Sequence, residues 1–200
     1  MHILKLIKVI VVDDSALMRK IISDIISSQD DMEVVQTAKN GQDLMLKLES
    51  VKPDIITLDV EMPIMDGIST LREMKRRNLY LKVIVLSGID GNAADVTMNC
   101  LQVGAFDFVS KPSGAISLDI NKVQEELISK IRAAASSNLS VTRGAASYNK
   151  TVECVSFNKS GKNQRIDAVV LGASTGGPKA LYSVITKLPE NLGVPIFVGQ

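Results

Sequence analysis

The sequence is poor in aromatic residues and in cysteine, and its charges nearly cancel. Tryptophan is absent and aromatic residues make up 4% of the chain, which argues against a stacking platform for single-stranded nucleic acid. A formal net charge of +1 provides no field that would attract nucleic acid or an anionic membrane. The two cysteines, Cys100 and Cys154, are too few for a disulfide framework, so we expect an intracellular, cytoplasmic protein.

Long apolar runs are also missing. No stretch reaches the roughly 20 apolar residues that a membrane-spanning helix needs, so we expect no membrane insertion. The first twelve residues, MHILKLIKVIVV, contain Lys5 and Lys8, run directly into two aspartates and lack a small-residue cleavage site, unlike a signal peptide. We interpret this segment as containing a buried first strand.

What the sequence does contain is a regular alternation of short apolar runs with longer runs of helical period. The strand-like runs are 7–12, 32–38, 54–58, 82–87 and 106–109, and the helix-like runs are 15–26, 41–50, 66–77, 93–104 and 120–135. In the first helix, Leu17, Ile21 and Ile25 are spaced four apart, which predicts one apolar face. Five strand–helix pairs predict an α/β fold with a parallel sheet covered by helices on both faces.

The composition divides the chain into three parts. Residues 1–135 form the predicted first domain, and residues 136–165 form a polar linker rich in Ser, Asn, Gly and Lys. The α/β pattern resumes in 166–200, with a strand and turn at 167–174, a helix-like run at 177–188 and a strand-like run at 195–199. One βαβ unit cannot cover both faces of a sheet, so we expect 166–200 to be the partial start of a doubly wound α/β domain.

Carboxylates, a hydroxyl and a lysine stand directly after the predicted strands. In chain order they are Asp13 and Asp14, then Asp59 with Glu61 two positions on, then Ser87, and finally Lys111. In a parallel sheet all of them lie at the same edge. Crowded carboxylates repel one another unless a cation is present, and oxygen ligands of this kind suit Mg²⁺. Such a site would stabilise a phosphoryl group, and one carboxylate could become an aspartyl phosphate.

Each of these residues also has a purely structural interpretation. Asp13 or Asp14 could cap the first helix, Asp59 could be a turn residue, and Lys111 could be solvated. These interpretations do not account for the joint appearance of all four residues at strand ends.

Four motifs resemble the receiver domain of two-component response regulators: VVDDS (11–15), LDVEMPIMDG (58–67), VLSG (85–88) and FVSKP (108–112). The resemblance implies a flavodoxin-like (βα)₅ fold with strand order 2-1-3-4-5. It implies that Asp59 is the phosphoacceptor and that Mg²⁺ is bound by Asp14, Asp59 and the backbone carbonyl of Glu61, with Asp13 acting through water. It further implies that Ser87 and Lys111 sense the phosphate and that Phe108 is an aromatic switch.

The segment LGASTGGPKAL (171–181) allows several interpretations. A phosphate loop fits poorly because Pro178 stands where the lysine is required, and a dinucleotide loop fits poorly because Ser174 replaces its middle glycine. The pattern G-x-S-x-G from Gly172 to Gly176 is also that of a nucleophile elbow with Ser174 as nucleophile. A plain glycine turn with Ser174 or Thr175 as helix cap remains open.

A receiver, a polar linker and the string VVLGASTGGPKAL together resemble the CheB-type chemotaxis protein-glutamate methylesterases. The resemblance implies hydrolysis of glutamate methyl esters, and deamidation of certain glutamines, on methyl-accepting chemoreceptors. It also implies activation by phosphoryl transfer from a chemotaxis histidine kinase, with Ser174 as the nucleophile and Thr175 at a neighbouring active-site position.

A serine nucleophile needs a base, usually a histidine oriented by a carboxylate. The single histidine is His2, and the family's catalytic histidine and aspartate follow a strand like PIFVGQ. We therefore expect these 200 residues to be a fragment of the parent enzyme with at most trace hydrolysis. One alternative is a stand-alone receiver without catalysis. Another is a DNA-binding output, but the balanced charge and the lack of a helix-turn-helix pattern disfavour DNA binding.

Overall fold

The computed structural model describes residues 6–88, 93–111, 118–137, 166–173 and 177–199. The first part of the chain consists of β1 (Ile7–Val12), α1 (Ala16–Ser27), β2 (Met32–Ala38), α2 (Gly41–Lys47), β3 (Ile55–Asp59), α3 (Gly67–Arg76), β4 (Lys82–Ser87), α4 (Ala93–Val103), β5 (Asp107–Ser110) and α5 (Leu118–Ser136). The second part consists of β6 (Val169–Gly172), α6 (Gly177–Ile185) and β7 (Ile196–Gly199). These elements confirm the alternation predicted from the sequence.

The first five strands form one parallel sheet in the order β2-β1-β3-β4-β5. This confirms the flavodoxin-like fold class, in which ligands bind beyond the carboxyl ends of the strands. Val12 at the end of β1 pairs with both Ala38 and Leu58. The residues that follow β1 and β3 therefore emerge side by side at one edge of the sheet.

Alternate residues of the strands pack into two apolar layers, because successive side chains of a strand point to opposite faces. On one face, Val9 and Val11 of β1 pack in a cluster with residues of α1 and α5. On the other face, Ile10 and Val12 pack in a cluster with residues of α2, α3 and α4. Cys100 lies in this second layer, where burial raises the pKa of its thiol to about 11, so the thiol stays neutral at physiological pH.

Helix α1 differs from the sequence prediction at its first turn. Leu17, expected on the apolar face with Ile21 and Ile25, is 69% exposed, and the buried residues are Ile22, Ile25 and Ile26. The helix is capped by Ser15, whose side chain accepts a hydrogen bond from the backbone N–H of Met18. The structural interpretation in which Asp13 or Asp14 caps the helix is therefore wrong.

The remaining boundaries shift by only a few residues. Helix α2 is capped by Asn40 and ends at Lys47, three residues before the predicted end of the 41–50 run. Helix α3 is capped by Asp66, whose side chain accepts a hydrogen bond from the backbone N–H of Ser69. None of the helices that the structure describes combines the length and apolar character that a bilayer crossing requires.

The second part of the chain forms a small parallel sheet of two strands, β6 and β7, connected by α6. This is the βαβ unit expected for 166–200. Its apolar residues remain largely exposed, with Val170 at 75% and Phe197 at 59%. Most of the predicted linker, together with Ser174, Thr175 and Cys154, lies outside the described residues.

Candidate functional site

Three aspartates meet at the carboxyl edge of the large sheet. Asp13 and Asp14 directly follow β1, and Asp59 is the last residue of β3. Carboxylate oxygens of these three residues lie within 4.8 Å of one another. Asp13 and Asp59 are buried, whereas Asp14 is exposed, so the cluster opens to solvent on one side.

Lys111 joins this cluster from the end of β5. Its Nζ lies 2.8 Å from Oδ2 of Asp13 and 2.8 Å from Oδ2 of Asp59. Its backbone N–H donates to the carbonyl oxygen of Ser87, at 2.7 Å, which continues the pairing of β4 and β5. The lysine is therefore held by the backbone at the sheet edge while its side chain reaches the two buried carboxylates.

Burial and neighbouring charges both shift the pKa values of Asp59 and Lys111. Burial raises the pKa of Asp59; Lys111 opposes this rise and the neighbouring Asp13 adds to it. Burial alone would lower the pKa of Lys111, but its ion pairs with Asp13 and Asp59 outweigh this effect and raise it. The lysine therefore stays protonated, and one positive charge faces three carboxyl groups.

The donor set of this cluster fits Mg²⁺. Hard cations of this kind prefer carboxylate oxygens and keep part of their water shell, and here two carboxylates are buried while Asp14 faces solvent. Oδ1 of buried Asp13 accepts a hydrogen bond from the backbone N–H of Ser15 at 2.8 Å, and Oδ2 lies 2.8 Å from Nζ of Lys111. Because an ionised carboxylate offers about four lone-pair sites, these contacts leave capacity for a cation or its bound water.

The loop after β3 is fixed closely around Asp59. The backbone N–H of Glu61 donates to Oδ1 of Asp59 at 3.3 Å, and the N–H of Gly67 donates to the carbonyl oxygen of Val60 at 2.8 Å. A Cβ atom at Gly67 would lie 2.6 Å from the carbonyl oxygen of Asp59, so only glycine fits where α3 starts. Within this loop Ile64 has a φ of 72°, which is strained for a β-branched residue.

The other residues predicted for this site have different positions. Ser87 is buried at the end of β4, next to Lys111 in the backbone pairing. Glu61 is exposed, and the structure records its backbone N–H, not its carboxylate, in contact with Asp59. Phe108 is partly buried on β5, three residues before Lys111.

Sequence reasoning did not identify Arg19, which lies at the back of the acidic cluster. Its Nη1 donates to the backbone carbonyls of Asp13 and Asp14, at 2.6 and 3.0 Å. The guanidinium thereby fixes the backbone that carries both aspartates. The available signal was a basic residue in the second turn of the helix that follows them, which is too common a pattern to single out.

The second candidate site lies between β6 and α6 in the sequence. Ser174 and its neighbours to Gly176 lie outside the described residues, so the geometry concerns only the flanks. A Cβ atom at Gly177 would lie 2.3 Å from the Cβ of Ala173. Ala173 at the end of the strand and Gly177 at the start of the helix therefore approach each other closely.

Two family models match this chain. The model described as response regulator receiver domain matches residues 9–121, and that described as CheB methylesterase matches residues 169–200. The chain is 49% identical over 194 residues to the protein-glutamate methylesterase/protein-glutamine glutaminase of Clostridium acetobutylicum. That alignment covers 97% of this chain and 54% of the relative, so the chain spans about half the length of the curated relatives it matches.

Solved structures resemble the first part of the chain. The crystal structure of the response regulator domain of Thermotoga maritima CheB is 44% identical, with a TM-score of 0.60, and the match covers 67% of this chain and 99% of that one. The crystal structure of the P1 domain of CheA3 in complex with CheY6 from R. sphaeroides gives 34% identity and a TM-score of 0.54, covering 66% and 99%.

Proposed function

This chain belongs to the response regulator receiver family, and we propose that its first part accepts a phosphoryl group on Asp59 and thereby regulates a methylesterase domain that begins near residue 166. One observation carries the first half of this proposal. Lys111 Nζ lies 2.8 Å from both Asp13 and Asp59, within a cluster that Asp14 completes. A lysine among carboxylates at a sheet edge is suited to phosphoryl transfer, which depends on positioning and charge.

In the proposed reaction, a carboxylate oxygen of Asp59 attacks the phosphorus of a phosphohistidine or a small phosphoramidate. A P–O bond forms and the P–N bond breaks. The leaving nitrogen keeps the electron pair and takes a proton from solvent. Lys111 offsets negative charge beside the new acyl phosphate. The N–H of Glu61 orients the carboxylate of Asp59 through Oδ1, and Gly67 packs closely against the carbonyl oxygen of Asp59.

Asp13, Asp14 and Asp59, with the backbone carbonyl of Glu61, would hold Mg²⁺, with Asp13 acting through water. When bound, the ion supplies positive charge that offsets the charge of the phosphoryl oxygens. Arg19 would stabilise the backbone that carries two of these carboxylates, because its Nη1 donates to the carbonyl oxygens of Asp13 and Asp14.

The proposed switch follows from the change of charge at Asp59. A phosphoryl group adds about two negative charges and strong acceptors, which compete with Asp13 for Lys111. Ser87, buried at the end of the neighbouring strand, would donate its hydroxyl to the same group. Phe108 would then move toward the space that Ser87 vacates, which biases an existing equilibrium of the receiver surface.

The proposed output is hydrolysis of glutamate methyl esters, and deamidation of glutamines, on methyl-accepting chemoreceptors. Ser174 Oγ would attack the ester carbonyl, methanol would leave with the serine proton, and water would release the acyl-enzyme. The single histidine of this chain is His2, so we assign the base and its carboxylate to the part of the protein that corresponds to the remainder of the relatives. The match of 169–200 to the methylesterase family favours this output over a stand-alone receiver.

We further propose a cytoplasmic protein whose phosphodonor is a chemotaxis histidine kinase. The boundaries that fit this proposal are a receiver at 1–135, a linker at 136–165 and the esterase start at 166–200. Helix α5 ends at Ser136, which supports the first boundary.

Phosphorylation of Asp59 is tested by incubating the chain with a phosphoramidate and Mg²⁺ and mapping the acyl phosphate by mass spectrometry after borohydride reduction. We expect one adduct at Asp59 and complete loss of labelling in Asp59→Asn, with the folded circular dichroism spectrum unchanged. Asp24→Asn is the matched control, because Asp24 is an exposed aspartate paired with Lys20 on α1. Full labelling of Asp59→Asn would overturn the assignment.

A further inference from the structure

The open edge of the large sheet is closed by side chains at Phe108. Strand β5 is an edge strand, and unpaired backbone groups on such an edge need other partners. The N–H of Phe108 donates to Oδ1 of Asp107 at 2.7 Å, and its carbonyl oxygen accepts a hydrogen bond from Nζ of Lys130 on α5. Two side chains therefore occupy both backbone groups of Phe108.

Lys130 is itself held firmly. Its Nζ lies 3.3 Å from Oδ1 of Asp107 and 2.8 Å from Oε1 of Glu126, one turn earlier on α5. The lysine side chain is 11% exposed and that of Asp107 is fully buried. A buried ammonium with two carboxylates and a carbonyl as partners has little freedom to move.

The same ammonium also contacts the ring of Phe108. Nζ lies 4.7 Å from the ring centroid, within the range of a cation–π interaction. The ring itself packs against the apolar layer that contains Val83 and Val85. Lys130 therefore contacts Phe108 through its backbone carbonyl, which belongs to the sheet, and through its ring, whose position depends on the side-chain torsions.

We propose that Lys130 is a positioning residue of the phosphorylation switch, which holds the Phe108 ring in the position adopted without a phosphoryl group. This inference rests on the proposed function of Asp59 and Phe108. Movement of the ring toward the acidic cluster breaks the contact between the ring and the ammonium, while the hydrogen bond to the backbone carbonyl can stay. Lys130 thus opposes the switch without touching the acidic cluster.

The direction in which loss of Lys130 changes ligand affinity follows from thermodynamic linkage between ring position and ligand binding. If Lys130 stabilises the unswitched ring position, its removal favours the switched state, and any ligand that prefers the switched state binds more tightly. The ligand for the test is beryllium fluoride with Mg²⁺, a phosphoryl analogue that forms no covalent product to be hydrolysed. We expect Lys130→Met to tighten its binding about threefold to tenfold, as loss of one partly desolvated cation–π contact implies.

The test is a titration of beryllium fluoride at fixed Mg²⁺, followed by isothermal calorimetry, on the complete 200-residue chain. Lys82→Met is the matched control, because Lys82 also lies against α5 and donates to the backbone carbonyls of Ala134 and Ser137. Lys82→Met therefore removes a partly buried lysine that binds the end of α5, and the cation–π contact of Lys130 with the Phe108 ring is kept. We expect its affinity to match that of the wild type.

A double-mutant cycle distinguishes loss of the contact with the Phe108 ring from a general weakening of the packing of α5. In a Phe108→Leu background there is no ring for Lys130 to hold, so adding Lys130→Met should leave the affinity unchanged. If Lys130→Met unfolds because Asp107 loses this ion pair, the pair Lys130→Met with Asp107→Asn removes both charges and keeps an acceptor for the N–H of Phe108. The same tightening is then expected.

The titration distinguishes failure of the Lys130 inference from failure of the proposed phosphoacceptor site. Wild-type affinity in the Lys130 variants, or an equal shift in the Phe108→Leu background, would overturn the inference while leaving the proposed function intact. Failure of the wild-type chain to bind beryllium fluoride would instead overturn the phosphoacceptor site itself, and the role of Lys130 with it.

Discussion

The two parallel sheets of this chain are built from the same βαβ pattern and differ in what covers them. In the five-stranded sheet, β1 contributes Val9, Ile10, Val11 and Val12, each with no exposed surface. In the two-stranded sheet, Val170 of β6 and Phe197 and Val198 of β7 are more than half exposed. Helices on both faces complete the first sheet, whereas α6 is the one helix connected to the second sheet within the described residues.

The functional sites differ for the same reason. The acidic cluster needs three strand ends, because β1 supplies Asp13 and Asp14, β3 supplies Asp59 and the end of β5 supplies Lys111. In the part of the chain that the structure describes, the second sheet offers the ends of β6 and β7. A nucleophile can be placed by one strand-to-helix turn, but its base and orienting carboxylate must come from further elements. A complete sheet is therefore a condition for a complete site.

The largest difference between the two sheets is expected in their response to loss of an apolar side chain. Leu58 of β3 is fully buried, so Leu58→Ala leaves a cavity and should lower the free energy of unfolding by about 3 kcal/mol. Val170→Ala removes a side chain that is 75% exposed and should change it by less than about 0.5 kcal/mol. Urea unfolding followed by circular dichroism measures both.

Ile84→Ala serves as the internal control, because Ile84 is equally buried but on the opposite face of the sheet. Its cost should resemble that of Leu58→Ala if both faces are completed by helices. A destabilisation by Val170→Ala as large as that of either core variant would contradict the contrast between the sheets.

A smaller effect of opposite sign is expected at Ile64 in the acidic-site loop. This residue has a φ of 72° and is 77% exposed, so its side chain gains little from burial while its backbone is strained. Asparagine tolerates the left-handed region better, and Ile64→Asn should raise the free energy of unfolding by about 1 kcal/mol. Thermal and urea denaturation measure the change.

Leu17→Asn is the matched control for this substitution, because Leu17 is similarly exposed but lies in helix α1. Its effect should be neutral or slightly unfavourable, since asparagine has a lower helix propensity than leucine. Equal stabilisation by both substitutions would show that lost surface hydrophobicity, not relief of backbone strain, is responsible.

Much of the fold followed from local signals in the sequence. The alternation of apolar runs and helical periods predicted every strand and helix of both sheets, with small shifts at the ends. The position of Leu17 was wrong because periodicity gives the direction of a side chain, not whether a neighbouring element extends far enough to cover it. The sequence left the cap of this helix open because Asp13, Asp14 and Ser15 are all good capping residues, and the structure assigns it to Ser15.

The candidate site could be predicted only in part, because local sequence patterns do not show which side chains meet between distant elements. Residues at strand ends converge by topology alone, so the aspartates and Lys111 were expected together. Arg19 and Lys130 act on backbone carbonyls, and an arginine or lysine on a helix carries no sign of such a partner. The pairing of Lys130 with Phe108 spans 22 positions and depends on how α5 lies along the edge of β5.

The coupling between the two regions is tested most directly in a longer protein that carries the complete second domain. Methanol release from methylated receptor membranes would be measured with and without a phosphodonor and Mg²⁺, for the wild type, Asp59→Asn and Ser174→Ala. We predict release that rises with the phosphodonor, stays at its basal rate in Asp59→Asn and disappears in Ser174→Ala. Release that ignores the phosphodonor, or that persists without Ser174, would contradict the account.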